Sequence, residues 1–162
     1  MTDQLERVQI VQWILDKQLG WVAAADAKVA VVVALDTAVF AALATAYASA
    51  KCIPESALLM SLATSVLLVI ALVCAVMSLL PRTKGPIKSL VFFGPIATQA
   101  QAAYITALRT VPLDHLCEDI AAQIHRNAEI AAEKHRWVRR SIECSFVAAL
   151  PWATAVYLLI KQ

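Results

Sequence analysis

The sequence predicts an all-α integral membrane protein, in which about three transmembrane helices are continuous with a cytoplasmic helical bundle. The chain has 162 residues, of which 60% are hydrophobic and 16% are charged. Soluble domains are nearer half apolar and a quarter charged. The apolar excess is concentrated in long stretches that a bilayer can bury, and apolar residues at steps of three and four flank those stretches.

The first predicted element is one long helix from about Asp3 to Ala50. Its beginning is amphipathic, with apolar positions at Leu5, Val8, Val11, Leu15 and Leu19. Residues 1–19 lack the basic start and short apolar run of a signal peptide, so we expect this end in the cytoplasm. From Val22 the helix is nearly all apolar. We therefore assign 1–22 to a cytoplasmic amphipathic helix and 23–50 to transmembrane helix 1.

A second spanning helix is predicted at 55–80. Pro54 suits the start of a helix, and Ser56–Leu80 contains no charged residue. The run Pro81–Pro86 then ends the helix sharply. Twenty residues of helix cover roughly 30 Å, so this segment is long enough to cross a bilayer.

Residues 81–140 are predicted to form a cytoplasmic helical sensor region. We expect one helix over Ile96–Thr110, a break at Pro112, and a further helix that begins near that proline. Apolar positions at steps of three and four give the last helix a buried face, and it runs on into transmembrane helix 3 at 141–161. The amphipathic faces of these segments and of 1–22 can bury one another in a small bundle.

The distribution of cations predicts the orientation. With the N-terminus and the sensor region inside, twelve Lys and Arg residues lie on the cytoplasmic side, and Lys51 and Lys161 lie outside. Cytoplasmic segments of membrane proteins carry such an excess of cations. The pattern therefore predicts three membrane crossings, with the N-terminus inside and the C-terminus outside.

The sequence contains no recognisable catalytic motif. There is no glycine-rich phosphate loop, no HExxH and no GxSxG, and the chain has only three glycines. No His and Cys residues have the spacing of a metal site, and a net charge of +2 does not favour nucleic acid. We therefore expect no enzyme activity, no cofactor, no metal and no nucleic-acid partner.

Asp36 is the most informative ionisable residue of the predicted spanning segments. It lies eight residues after Lys28, about 12 Å further along the helix axis, where a lone carboxyl group is costly. One interpretation is a residue that lines a pore or packs between subunits. The other is a carboxyl group that hydrogen-bonds a neighbouring helix through Ser61, Thr64 or Ser65.

Three further ionisable residues lie near the predicted cytoplasmic surface of the membrane. Asp26 and Lys28 mark the entry of helix 1, and residue chemistry favours interfacial anchoring over a gating role. Glu143 lies near the cytoplasmic end of helix 3, where we expect it to pair with Lys28 or Arg140.

Polar and aromatic residues of the last helix could bind a nucleotide. His125, Arg126 and Asn127 lie about two to three helical turns before Lys134 and Trp137. Cations suit a phosphate, and an indole ring suits a base. Residue chemistry alone favours the alternative, in which the basic residues and the indole anchor the chain at the membrane surface.

The order of these segments resembles the transmembrane effector family of bacterial Pycsar anti-phage systems. The resemblance covers nearly the whole chain and depends on Asp26 and Lys28 in the ADxK stretch, on Phe93 and Gly94, and on the stretch DIAAQIHRNAEIAAEKHRWVRRSI with Ile124, Asn127 and Lys134. It departs at His135, where the family leads us to expect a tyrosine.

The resemblance implies an effector that binds cyclic UMP or cyclic CMP made by a partner cyclase upon infection. The bound protein, as a homo-oligomer, would then disrupt the membrane and stop the growth of the cell. The ligand-binding residues it suggests are Phe93, His125, Arg126, Asn127, Lys134 and Trp137. Competing interpretations are a membrane scaffold that does not signal and a small transporter; the absence of broken, glycine-rich half-helices argues against the transporter.

Overall fold

The computed structural model describes residues Thr2–Lys161, and their side chains from Glu6 onward. The side chain of Leu5, which the amphipathic pattern includes, thus lies outside the described residues, as do Met1 and Gln162. All regular structure in the described residues is helical, in the order α1 (Thr2–Ser49), α2 (Glu55–Leu79), α3 (Phe93–Thr98), α4 (Gln101–Thr110) and α5 (Leu113–Ile160). The predicted all-α class is confirmed.

Three helices are long and apolar enough to cross a membrane: Glu6–Ser49, Glu55–Leu79 and Leu113–Ile160. At most a third of their most apolar windows is buried within the chain. Large apolar side chains such as Val31, Leu62 and Phe146 point outward instead. A bilayer buries such side chains where the protein does not.

The chain divides into two compact units. Unit 1 holds the residues up to Ala24 together with Pro81–Glu133, and unit 2 holds Ala25–Leu80 together with the residues from Lys134 onward. Both α1 and α5 contribute to both units. The units change at 24–25 and 133–134, whereas hydropathy predicted membrane boundaries at 22–23 and 140–141. Packing and hydropathy measure different properties, so the two kinds of boundary need not coincide.

Unit 2 packs α1, α2 and the second part of α5 through small side chains. One buried cluster holds Ala25, Val29, Ala75 and Val138, and a second holds Leu43, Ala57, Ala155 and Leu159. Alanine lets helix backbones approach closely, which favours helix association in a bilayer. Pro151 lies inside α5 without ending it.

Unit 1 corrects one predicted element. The single helix expected over Ile96–Thr110 is instead two helices, α3 and α4, because Gln99 and Ala100 have extended backbone conformations. The side chains of this stretch gave no sign of the break, since Gln and Ala are good helix formers. The continuous helix predicted from near Pro112 to the end of the chain is confirmed as α5.

Candidate functional site

A row of polar residues runs along the buried face of α5. Gln123, Asn127, Lys134 and Ser141 are each more than nine-tenths buried, at steps of four and seven residues. Steps of this size keep side chains on one helix face. Buried polar groups are costly unless paired, so their partners indicate what the helix is built to do.

Lys134 forms an ion pair with Asp26 of α1. The lysine side chain is 10% exposed and the aspartate side chain is 41% exposed. The Ser78 hydroxyl of α2 donates to the Lys134 carbonyl at 3.4 Å. Asp26 therefore connects α1 to α5, a role that interfacial anchoring did not include. Its neighbour Lys28 is exposed.

Asp36 has a different partner from the one predicted. The Ser145 hydroxyl of α5 donates to Asp36 Oδ2 at 3.0 Å, and the aspartate is 8% exposed. The predicted partners Ser61, Thr64 and Ser65 instead donate to carbonyl groups of their own helix, four residues back. The periodicity of α2 could not show this, because a serine or threonine in an apolar helix can satisfy itself locally.

Glu143 also pairs differently. Its carboxylate accepts from Arg139 Nε at 2.7 Å, one helical turn away, and not from Lys28 or Arg140. The Arg140 guanidinium lies over the Trp137 ring, 4.9 Å from its centroid. Pairs at i and i+4 on one helix form without any tertiary packing, which explains why the local partner is favoured.

In unit 1, side chains hold the main chain of the segment between α2 and α3. Asp119 Oδ2 accepts from Leu90 N at 2.6 Å, and the Tyr104 hydroxyl donates to Leu90 O at 3.0 Å. The buried Ser89 hydroxyl accepts from Val91 N and Phe92 N. These four bonds fix a segment that has no helix of its own.

Arg126 contributes to the same framework. Its Nε donates to Lys84 O at 2.7 Å, and its Nη1 pairs with Glu129 at 2.9 Å. Arg82 Nε likewise pairs with Glu133 at 2.9 Å, and this arginine side chain is 12% exposed. The two arginines therefore connect the loop after α2 to α5.

Phe92 packs tightly against glycine. The ring is 7% exposed, and a Cβ added to Gly85 would overlap its edge. Gly94 also faces this ring, at a distance that leaves little space for a Cβ. The predicted pair Phe93 and Gly94 thus lies beside the packed ring, and Phe93 itself is 60% exposed, with ring centroids 4.7 Å from Phe92.

A groove with two lysines lies on this loop. Its walls are Thr83–Lys88, Phe92, Gly94, Pro95, Thr98 and Gln99, around an open cavity of about 660 Å³. We call it the basic groove, because Lys84 and Lys88 are exposed there and no acidic residue lines it. Its volume lies in the range of small-molecule sites, about 300–1,000 Å³.

The structure divides the six predicted ligand-binding residues between the two units. Phe93, His125, Arg126 and Asn127 belong to unit 1, and Lys134 and Trp137 belong to unit 2. Arg126 holds the loop, and Lys134 holds Asp26. The remaining groups also differ in exposure, because the His125 side chain is 79% exposed whereas Asn127 is 7% exposed.

Several residues that hold this arrangement together were not predicted from the sequence. Asp119 and Glu133 were not predicted as site residues, because only the folded loop brings Leu90 and Arg82 to them. Gln123 fell on the apolar stripe of α5, where its burial could have been predicted from its position. Its Nε2 donates to Asn127 Oδ1 at 3.4 Å, whereas its Oε1 is buried without a hydrogen-bond partner.

No group of three His, Cys, Asp or Glu side chains is placed to hold a metal ion anywhere in the described part of the chain.

A family model described as the Pycsar effector protein domain matches residues 10–161. The chain belongs to the Pycsar effector family. It is 35% identical over 131 residues to the Pycsar effector protein PtPycTM of Propioniciclava tarda, and the match covers 75% of this chain and 65% of that protein. The chain therefore spans slightly less than two-thirds of the length of this curated relative. No solved structure matches it.

Proposed function

We propose that this Pycsar effector acts in anti-phage defence, where a partner cyclase makes cyclic UMP or cyclic CMP and the effector binds it. Binding then disrupts the bacterial inner membrane, and growth of the infected cell stops. The observation that carries the proposal is the family match, which includes nearly all of the three potential membrane helices and of unit 1.

The helices support a physical route from ligand to membrane. Residues of α1 and of α5 belong to both units, and each helix runs without interruption from one unit into the other. A conformational change in unit 1 can therefore pass along helices and needs no flexible linker. The ligand must bind the active state more tightly than the resting state for this to work. We place unit 1 on the cytoplasmic side, where a cyclase product would reach it, and propose that a homo-oligomer is the active form.

The first test measures binding to the full chain in detergent or nanodiscs. Isothermal calorimetry with cyclic UMP, cyclic CMP, cyclic AMP and cyclic GMP compares ligands that share the cyclic phosphate and differ in the base. We expect micromolar or tighter binding of one pyrimidine nucleotide, and much weaker binding of the purines. A folded protein that binds none of the four would refute the proposal and favour a membrane scaffold.

The second test measures the membrane. Vesicles that contain the purified protein and hold a dye-reported membrane potential should lose that potential when the bound nucleotide is added. The same vesicles with a non-binding nucleotide provide the control. Tight binding without any loss of potential would contradict membrane disruption while leaving ligand recognition intact.

A further inference from the structure

The basic groove differs from its surroundings in how its cations are paired. Arg82 and Arg126, the two arginines that connect this loop to α5, each make an ion pair to a glutamate of α5. The side chains of Lys84 and Lys88 make no hydrogen bond or ion pair within the described residues, and both are exposed. The groove thus presents two free ammonium groups with no neutralising acid among its walls.

The main chain below these lysines is held in place. Arg126 fixes the Lys84 carbonyl, and Asp119 with Tyr104 fixes Leu90 beyond Lys88. Lys88 has a φ of 64°, a left-handed backbone conformation that residues other than glycine seldom adopt. The held backbone fixes the point from which the lysine side chain extends, so the loop itself need not be ordered when a ligand binds.

The other groups of the groove suit a nucleotide better than a bare phosphate. Gln99 offers an exposed amide that can both donate and accept. The exposed Thr98 hydroxyl donates to Pro95 O at 3.0 Å, so it offers a ligand only an acceptor. Phe93 does not line the groove, but it is 60% exposed next to the groove residue Phe92, with the two ring centroids 4.7 Å apart, and its ring offers an aromatic face for stacking. An amide can pair with the edge of either pyrimidine base.

We infer that the basic groove is the ligand site of unit 1, where Lys84 and Lys88 hold the phosphate of a cyclic pyrimidine mononucleotide. Gln99 of the groove then faces the base, and the exposed ring of Phe93, next to the groove residue Phe92, is available to stack on it. This inference rests on the proposed function, and it moves the phosphate contacts from Arg126 and Lys134, which are engaged in the structure, to two lysines that are not.

Lipid headgroups carry the same phosphate chemistry. Ile87, 91% exposed between the two lysines, would also suit a membrane surface. The free nucleotide is the occupant we favour, because the amide and the aromatic face have no role toward a lipid phosphate. The experiment must therefore measure nucleotide and anionic lipid separately.

The test compares Lys84→Gln and Lys88→Gln with Arg109→Gln in the full-length protein. Arg109 is an exposed cation in the last turn of α4, outside the groove, and provides the matched control. A hydrogen bond to a charged group changes affinity by about tenfold or more. Each lysine variant should therefore bind the pyrimidine nucleotide at least about tenfold more weakly. Arg109→Gln should keep the affinity of the unmodified protein. Native mass spectrometry counts bound anionic phospholipid in the same samples.

The outcomes distinguish the groove assignment from the proposed function. If the unmodified protein binds the nucleotide and both lysine variants bind it equally well, the groove assignment is overturned and the proposed function stands. Loss of bound phospholipid with unchanged nucleotide affinity would assign the groove to lipid and also overturn it. Binding of no nucleotide by the unmodified protein would overturn both. If Lys88→Gln failed to fold by circular dichroism, Lys88→Gly would remove the same charge while suiting the positive φ.

Discussion

Units 1 and 2 use their polar side chains in different ways. In unit 2, polar groups connect one long helix to another, as in the Lys134–Asp26 pair and the Ser141 hydroxyl that donates to Ala71 O at 2.7 Å. In unit 1, polar side chains hold a loop, as in the bonds from Asp119 and Arg126 to its main chain. The first pattern sets the register of helices, and the second shapes a surface on which two lysines remain free.

The largest expected effect comes from breaking the ion pair of unit 2. Asp26→Ala leaves the Lys134 ammonium buried without its partner, and the loss of one partner from a fully buried pair costs about 3–5 kcal/mol. We expect about 2–3 kcal/mol here, because the aspartate side chain is 41% exposed and water screens part of the charge. The free energy of unfolding in detergent, followed by circular dichroism, measures the loss.

A matched pair of variants sharpens this prediction. Lys134→Met leaves a carboxylate that water can still reach, so it should destabilise the protein less than Asp26→Ala does. The double variant should lose less than the sum of the two, because it leaves no unpaired charge. Equal losses for the two single variants with strict additivity would contradict a coupled ion pair. Unchanged nucleotide affinity in a folded double variant would remove Lys134 from ligand binding.

A smaller effect is expected from the glycine that contacts Phe92 in unit 1. Gly85→Ala forces the buried ring to move, and overpacking of this kind typically costs about 1–3 kcal/mol. Gly20→Ala is the control, because no atom lies within 4 Å of its added Cβ, and alanine favours a helix interior by up to about 1 kcal/mol. The two variants should therefore shift the thermal unfolding midpoint in opposite directions. A Gly85→Ala variant as stable as the unmodified protein would show that Phe92 can repack.

The long helices could be predicted from the sequence because their signal is local. Hydropathy and apolar periodicity placed the ends of α1, α2 and α5 within a few residues. The break at Gln99 could not be predicted, since Gln and Ala favour a helix and the extended conformation there depends on the folded loop.

Pairing was harder to predict than helix location. Asp36 could be recognised as a buried carboxyl group that needs a partner, yet its partner Ser145 lies 109 residues away in the sequence. Nothing in one sequence distinguishes Ser145 from Ser61 as a donor. The basic groove was not predicted for the same reason. In the sequence, Lys84 and Lys88 do not differ from Arg82 and Arg126, and only the structure shows that the two arginines are paired with glutamates.

The smallest expected effect distinguishes hydrogen bonds between helices from those within one helix. Ser141→Ala removes a bond from α5 to the Ala71 carbonyl of α2, whereas Ser65→Ala removes one to Ser61 O of the same helix. Ser141→Ala should cost about 0.5–1.5 kcal/mol, the range for hydrogen bonds between membrane helices. Ser65→Ala should cost much less, because the Ser61 carbonyl stays within its helical ladder and a serine bonded to its own helix adds little stability. Unfolding free energies in one detergent compare the two, and an equal cost for both would mean that the contact between helices adds nothing beyond the local bond.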